Sequence, residues 1–414
     1  MMVNTIWVLT AISAPLWFQL SLLDEYIGWV ERAIAVSLRS VNPNERRRLQ
    51  LVAALGYALL HTKGPVPRMA EVFQETLALS NKLGVSGHRS LAYRGLCAQR
   101  LFAGDNESAL ALAEQFIELY GNSESLISII TTKRLKALAL HYLGQTPAAR
   151  RLLEDALAEA KSAKRAIDSA FYFDDRVATM AHLGTTLWVE GFPGRAIRAA
   201  EASINEALSI DHMPSLCFAL ALSACPVSLW IGDDVKGTEF TEQLLKKSHE
   251  HHLEFSNLWG RSYAAVLAYR KGATVGLGDA PHLLMETSRA GPLREHIATL
   301  CPSISDPRLF NEAEQQSGWC RPELLRVKGE LLQCDPDVVA RQAAEPTFLL
   351  SLKLAREQGA LSWEIRTAVS LAKLWKANRR LDARNVIEDV LSRIVDPYQT
   401  ADIRTARRLY DELR

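Results

Sequence analysis

The sequence predicts an all-α protein, an α-solenoid of stacked helical hairpins with a period of about 40 residues. Three observations lead there. Apolar side chains recur at three- and four-residue steps through most of the chain, with charges on the opposite face. No stretch sustains the alternation of Val, Ile, Thr and aromatics, bounded by Asn-Gly or Asp-Gly turns, that a sheet needs. Glycine punctuation is also periodic: Gly64, Gly104, Gly144, Gly191, Gly232 and Gly272 follow at steps of 40, 40, 47, 41 and 40 residues. At 414 residues the chain exceeds one ordinary core, and periodic punctuation favours an elongated array over separate domains. With 48% apolar and 23% charged residues, wholesale disorder is excluded.

The first element is a run without a charged side chain from Met1 to Leu23. That length meets the rough threshold of about 18 residues for a membrane span. No Lys or Arg precedes it, however, and Asn4, Thr5, Thr10, Ser13, Pro15, Gln19 and Ser21 load it with polar groups. It reads as one or two buried helices of the array, with a membrane anchor as the second reading.

The glycines set the elements that follow. Each ends a helix in a left-handed C-cap, and a short turn leads to a second helix. That helix needs a small residue in its first turn, where it crosses its partner closely. Five positions after the glycines stand Ala109, Ala149 and Ala196, with Met69, Gly237 and Leu277 as less ideal versions. Lys63-Gly64-Pro65, Gly104-Asp105-Asn106 and Gly232-Asp233-Asp234 are the turns. The clearest amphipathic helices fall at 108–119, 148–157, 195–208, 240–253 and 382–394. Asn378 followed by Ala383 repeats the device near the carboxyl end. Four prolines interrupt it at Gly278-Asp279-Ala280-Pro281, Gly291-Pro292 and Cys301-Pro302-Ser303-Ile304-Ser305-Asp306-Pro307. The expected organisation is hairpin repeats over 1–275, an irregular or distorted repeat over 276–318 that buries less apolar surface, and further helical repeats over 319–414.

Tyr142-Leu143-Gly144-Gln145, followed by Ala148-Ala149 and Leu153-Glu154-Asp155-Ala156-Leu157, resembles a tetratricopeptide repeat with lengthened helices. Three longer strings narrow the resemblance. The first is Phe173-Asp174-Asp175-Arg176-Val177 leading into Leu187-Trp188-Val189-Glu190-Gly191-Phe192-Pro193. The second is Trp319-Cys320-Arg321-Pro322-Glu323-Leu324-Leu325-Arg326-Val327-Lys328-Gly329-Glu330, and the third Gln358-Gly359-Ala360-Leu361-Ser362-Trp363-Glu364. From about Pro15 to the end, the chain is similar to the carboxyl-terminal repeat region of bacterial STAND-type signal-transduction ATPases. There, a winged-helix or nucleotide-cyclase domain and an ATPase module commonly precede the repeats. The resemblance implies a repeat region without those domains, and a segment like 14–25 would lie inside a longer protein.

No G-x-x-x-x-G-K-[ST] is present to cradle a nucleotide phosphate, nor a G-x-S-x-G elbow or kinase-type loop set. His249-Glu250-His251-His252 places two imidazoles three residues apart, yet lacks the H-E-x-x-H spacing. It reads as a helix carboxyl end, where His interacts favourably with the dipole. Arg46-Arg47-Arg48 and Lys246-Lys247 read as solvated helix faces. Trp188, Trp230, Trp259 and Trp375, near helix ends, are expected to fill the gaps between stacked hairpins. Asp174 and Arg176 either line the groove or tie adjacent hairpins together. Cys97, Cys217, Cys225, Cys301, Cys320 and Cys334 form no C-x-x-C pair and read as small buried residues of a reduced, cytoplasmic protein.

No residue is assigned a catalytic, cofactor-binding or metal-binding role, and no cofactor is expected. With 48 Lys plus Arg against 47 Asp plus Glu, direct nucleic-acid binding lacks its electrostatic drive. The expected function is a non-catalytic scaffold that binds a protein or peptide on the solenoid surface, by habit its concave face. A nucleotide-dependent regulator or ATPase fragment is the alternative, with a truncated gene remnant as the third.

Overall fold

The computed structural model describes residues 9–20, 22–38, 44–120, 126–162, 173–272, 291–315 and 318–414. Among the described residues there are helices and no strands. The first ten helices are α1 (Ala14–Gln19), α2 (Leu23–Leu38), α3 (Glu45–Thr62), α4 (Pro67–Leu83), α5 (Ser86–Ala103), α6 (Asn106–Tyr120), α7 (Leu126–Tyr142), α8 (Thr146–Ser162), α9 (Asp175–Val189) and α10 (Pro193–Ser209). After α11 (Met213–Ile231) come α12 (Asp234–Glu250), α13 (Glu254–Arg270) and α14 (Gly291–Leu300). The array closes with α15 (Arg308–Asn311), α16 (Arg321–Gln333), α17 (Val338–Gln342), α18 (Ala344–Glu357), α19 (Leu361–Trp375), α20 (Arg380–Ser392) and α21 (Ala401–Glu412). The molecule is an α-solenoid of tetratricopeptide-like hairpins.

Capping works as the sequence predicts. All six periodic glycines are left-handed, with φ between 72° at Gly64 and 91° at Gly191. At Gly104, Gly144, Gly191 and Gly232 the glycine N–H donates three residues back and the next N–H five residues back, which satisfies two orphan carbonyls of the helix end. Ala109, Ala149 and Ala196 are buried where each second helix crosses its partner. Asn378 departs from the expectation: it is not among the left-handed residues, and Lys376 continues right-handed after α19. Its N–H and that of Arg379 both donate to the Trp375 carbonyl, so the turn closes without a left-handed cap. Gly359 caps α18 instead, at φ 64°.

Helix α11 carries Pro226 in its interior, and the turn just before it, Leu220–Ala224, widens to a π-helix. The proline lacks an N–H and its ring crowds the preceding turn, so one wide turn absorbs both defects. Among the described residues α11 is the helix long and apolar enough to cross a membrane, and 94% of its apolar window is buried inside the protein.

The array then coils onto itself. A Cβ on Gly64 at the end of α3 would meet Phe255 at the start of α13, and one on Gly291 at the start of α14 would touch the backbone of Gly104 after α5. Gly144 abuts Gln358, Gly191 abuts Leu361 and Gly232 abuts Ala401. The carboxyl ends of α3, α5, α9 and α11 thus face the amino ends of α13, α14, α19 and α21. Partial negative charge at one end meets partial positive charge at the other. Hydrogen bonds cross the same seam: the Trp319 N–H donates to the Tyr142 carbonyl, and the Ser362 hydroxyl to the Trp188 carbonyl.

Within 276–318, helix α14 is well packed, with Leu293, His296, Ile297, Ala298 and Leu300 in the core, whereas most of residues 302–315 are half-buried or exposed. Pro292 occupies its first turn, where no N–H is needed, so the helix survives and lies between the coils. The part of 276–318 up to residue 290 lies outside the described residues. At the amino end, Thr10, Ala14, Tyr26 and Val30 are buried, but Leu9, Ile12, Leu16 and Leu20 are exposed, so the first hairpin is covered on one face only.

Candidate functional site

The groove that a solenoid normally offers is filled here. Trp188 and Trp230 stack with centroids 4.6 Å apart, and Trp363 stands edge-on to Trp188 at 4.7 Å. Trp319 lies 5.6 Å from Trp230 and 5.8 Å from Trp363, and Trp259 joins through His296 at 5.5 Å. All five indoles are buried. Full burial of such rings stabilises by about 2–3 kcal/mol each, and favourable ring pairs add about 1 kcal/mol. The tryptophans at 188, 230 and 259 therefore pack between hairpins as expected, but along the superhelix axis. Trp375 belongs to a separate apolar cluster spanning α18 to α21.

Three imidazoles share this column. His141 stacks on Trp319 at 5.3 Å and His296 on Trp230 at 5.2 Å, while His182 stands edge-on to Phe218. Burial pushes His141 down to about 3, assisted by His296, and pushes His296 down to about 4. Burial, then Arg134, holds His182 well below the usual imidazole range. The Nε2 atoms of all three lack a hydrogen-bond partner among the described residues. Beside them burial raises Glu295 to about 7, although it accepts a 2.6 Å hydrogen bond from Trp319 Nε1.

An ion network lies toward each end of the column. At one, Asp175 accepts from Arg134 at 2.7 Å, Arg94 at 3.0 Å and the Thr131 hydroxyl at 2.8 Å. Burial alone would raise this carboxyl, but Arg94 and Arg134 outweigh it and hold it below the usual range. At the other, Glu323 accepts from Arg326 at 2.7 Å and from Arg366 at 2.9 Å. Arg366 also donates to Asp402 and to the Trp230 carbonyl, and lies 5.1 Å from the Trp363 ring.

Beside this second network a cleft of about 300 Å³ opens to solvent. Arg270, Arg326, Arg366 and Lys373 line it with Glu323, Glu330 and Asp402, and Ser370, Thr299 and Thr405 add hydroxyls. The arginines are committed: Arg270 binds Asp234 and the ends of α11 and α14, and Arg326 binds Glu323 and Glu330. Lys373 is exposed and has no carboxylate partner among the described residues. The cleft thus offers one spare cation, carboxylate edges and hydroxyls over a small apolar floor.

The residues singled out in the sequence lie elsewhere. His249 to His252 sit at the carboxyl end of α12, as their spacing predicts, and His252 is left-handed at φ 50°. Among the described residues no three His, Cys, Asp or Glu groups converge as metal ligands do. Asp174 caps α9 through the N–H groups of Arg176 and Val177. Arg176 ties α8 to α10 through the Ala160 carbonyl and Glu206, so this pair joins hairpins and lines no groove. Five cysteines are buried, but Cys334 is exposed at the end of α16. Sequence reasoning missed Arg134, Glu323, Arg366 and Lys373. A charged residue at a buried helical position was the available signal for the first three.

No family model matches the chain, and no curated protein matches it in sequence. Among solved structures it is similar to a Rap protein complexed with Competence and Sporulation Factor, at 10% identity and a TM-score of 0.48, over 99% of each chain. It is also similar to yeast Tom70, at 13% identity and a TM-score of 0.37, over 99% of this chain and 96% of that one.

Proposed function

We propose that this chain is a non-catalytic scaffold that binds a segment of protein or peptide, and that the cleft between α16, α19 and α21 is its docking site. The observation that carries the reading is Lys373, a cation without a carboxylate partner among the described residues, beside carboxylates and hydroxyls in an open polar cleft. A peptide satisfies such a surface: an acidic group meets Lys373, and backbone N–H groups meet Glu330 and Asp402. Because the axis is filled with aromatic rings, binding falls to the cleft and the outer faces. The resemblance to signal-transduction ATPase repeats supports a cytoplasmic, bacterial regulatory setting in which the array receives a signal.

The test is recovery of a partner from host lysate on the immobilised chain, in parallel with Lys373→Glu and with Ser370→Trp, which fills the cleft. Loss of the same protein from both variants supports docking at the cleft, and equal recovery on all three refutes it. Titration calorimetry with ATP and Mg²⁺ separates the alternative: saturable binding to the purified chain would replace the scaffold with a nucleotide-dependent regulator.

A further inference from the structure

The two ends of the array differ. On α21, Arg404, Arg407, Arg408 and Glu412 face solvent, so the exposed face of that helix is polar. At the amino end Leu9, Ile12, Leu16 and Leu20 stand exposed at helical spacing, and α2 adds Trp29 and Val36. Glycine usage marks the same end. Beyond the first turn of a described helix, Gly56, Gly95, Gly184, Gly260 and Gly329 each stand where an added Cβ would come within 3.0 Å of a side chain on another helix. In this chain such glycines mark close helix crossings. Gly28 is the exception: among the described residues an added Cβ would meet only the tip of Arg32, from its own helix, at 3.8 Å. A glycine in a helix interior weakens the helix relative to alanine, and no packing among the described residues calls for one at this half-buried position.

We propose that α2 crosses the α2 of a second copy at Gly28 and Trp29, antiparallel about a two-fold axis, with the exposed apolar residues of the first hairpin buried between the copies. The charges fit this occupant. Glu25 and Arg32 lie on the same face as Gly28, four residues before and three after Trp29. In an antiparallel crossing centred between Gly28 and Trp29, Glu25 of one copy faces Arg32 of the other, and the axis makes that pair twice. Within the chain neither has an opposite charge among the described residues; Arg32 lies over its own Trp29 at 4.3 Å and donates to the Gly28 carbonyl. The face is therefore complementary to itself in shape, apolarity and charge.

Sedimentation of the full chain at about 50 µM, ample for a micromolar dimer, is expected to give twice the 46.0 kDa chain mass. Gly28→Leu and Leu16→Glu are each expected to give the single-chain mass with unchanged helical circular dichroism. Glu25→Arg is expected to weaken the dimer about tenfold, and adding Arg32→Glu in the same chain to restore it within about threefold. Monomer for the unchanged chain overturns the proposal and leaves the face to a helix of another protein. Dimer that persists in Gly28→Leu, or charge reversal without restoration, also overturns it.

Discussion

Acid should loosen this protein between pH 6.5 and 5, because of His141, His182 and His296. In the fold all three are neutral, with His141 at about 3 and His296 at about 4, whereas in the unfolded chain they take up protons near pH 6.5. Folded values lowered in this way contribute stability that is present above the unfolded pKa and is lost as pH falls toward the folded one. Glu295 acts with the opposite sign: it is raised to about 7, so the fold holds its proton sooner than the unfolded chain and gains as pH falls. Between pH 6 and 5 the unfolded state therefore binds about two more protons, and each is worth about 1.4 kcal/mol per pH unit. The expected loss is about 3 kcal/mol per pH unit, a large part of the 5–15 kcal/mol that holds a typical domain. His88 and His212, also lowered by burial, lean the same way, and Glu190 leans the other. Urea midpoints followed by circular dichroism at pH 7.5, 6.5, 5.5 and 5.0 measure the slope. His182→Phe keeps the edge-on ring contact and removes one proton, so its slope should fall to about 1.5 kcal/mol per pH unit. Stability that is flat or rising from pH 6.5 to 5.0, or an unchanged slope in His182→Phe, would refute the reasoning.

Three further outcomes follow from the packing. Gly191→Ala pairs a left-handed backbone with Leu361 at under 3 Å and should cost about 2–4 kcal/mol, whereas Gly84→Ala, left-handed where an added Cβ meets nothing among the described residues within 4 Å, should cost about 1 kcal/mol; equal unfolding midpoints would contradict the seam. Glu323→Ala removes the buried carboxylate shared by Arg326 and Arg366, which keep Glu330 and Asp402, and should cost about 1–3 kcal/mol by urea denaturation, and no measurable loss would count against that network. In the folded protein only Cys334 should react quickly with a thiol reagent, because burial raises Cys97, Cys217 and Cys225 to about 12; several fast thiols at neutral pH would show that the core is open.

The hairpins were legible because their signals are local. A glycine cap, a turn and a small residue five positions on are all read within a dozen residues, and the structure realises each at Gly104, Gly144 and Gly191. Asn378 imitated the pattern, but asparagine occupies the left-handed region only when the turn demands it, and there two right-handed turns sufficed. What stayed hidden was the coil. Nothing near Trp188 in sequence announces Trp363, and nothing near Tyr142 announces Trp319. Such pairings follow from small rotations that accumulate over many hairpins, which no short motif encodes. Pro292 in a first turn is harmless, and α14 owes its burial to the coil that passes beside it, whereas Pro302 and Pro307 introduce only a 3-10 turn and a four-residue helix. The cleft was illegible because its walls come from α13, α14, α16, α19 and α21, and Lys373 alone looks like any surface lysine.

The seam between coils also governs how the array can change in length. An open solenoid stabilises each hairpin through its nearest neighbours, so hairpins can be added or lost one at a time. Here Gly64 must arrive opposite Phe255, Gly104 opposite Gly291 and Gly191 opposite Leu361. One inserted hairpin would shift every later partner by a whole repeat, taking Phe255 away from Gly64 and Leu361 away from Gly191. The molecule is wound to a fixed gauge, like thread on a bobbin: it tolerates substitution along its outer faces far better than a change in the number of its windings.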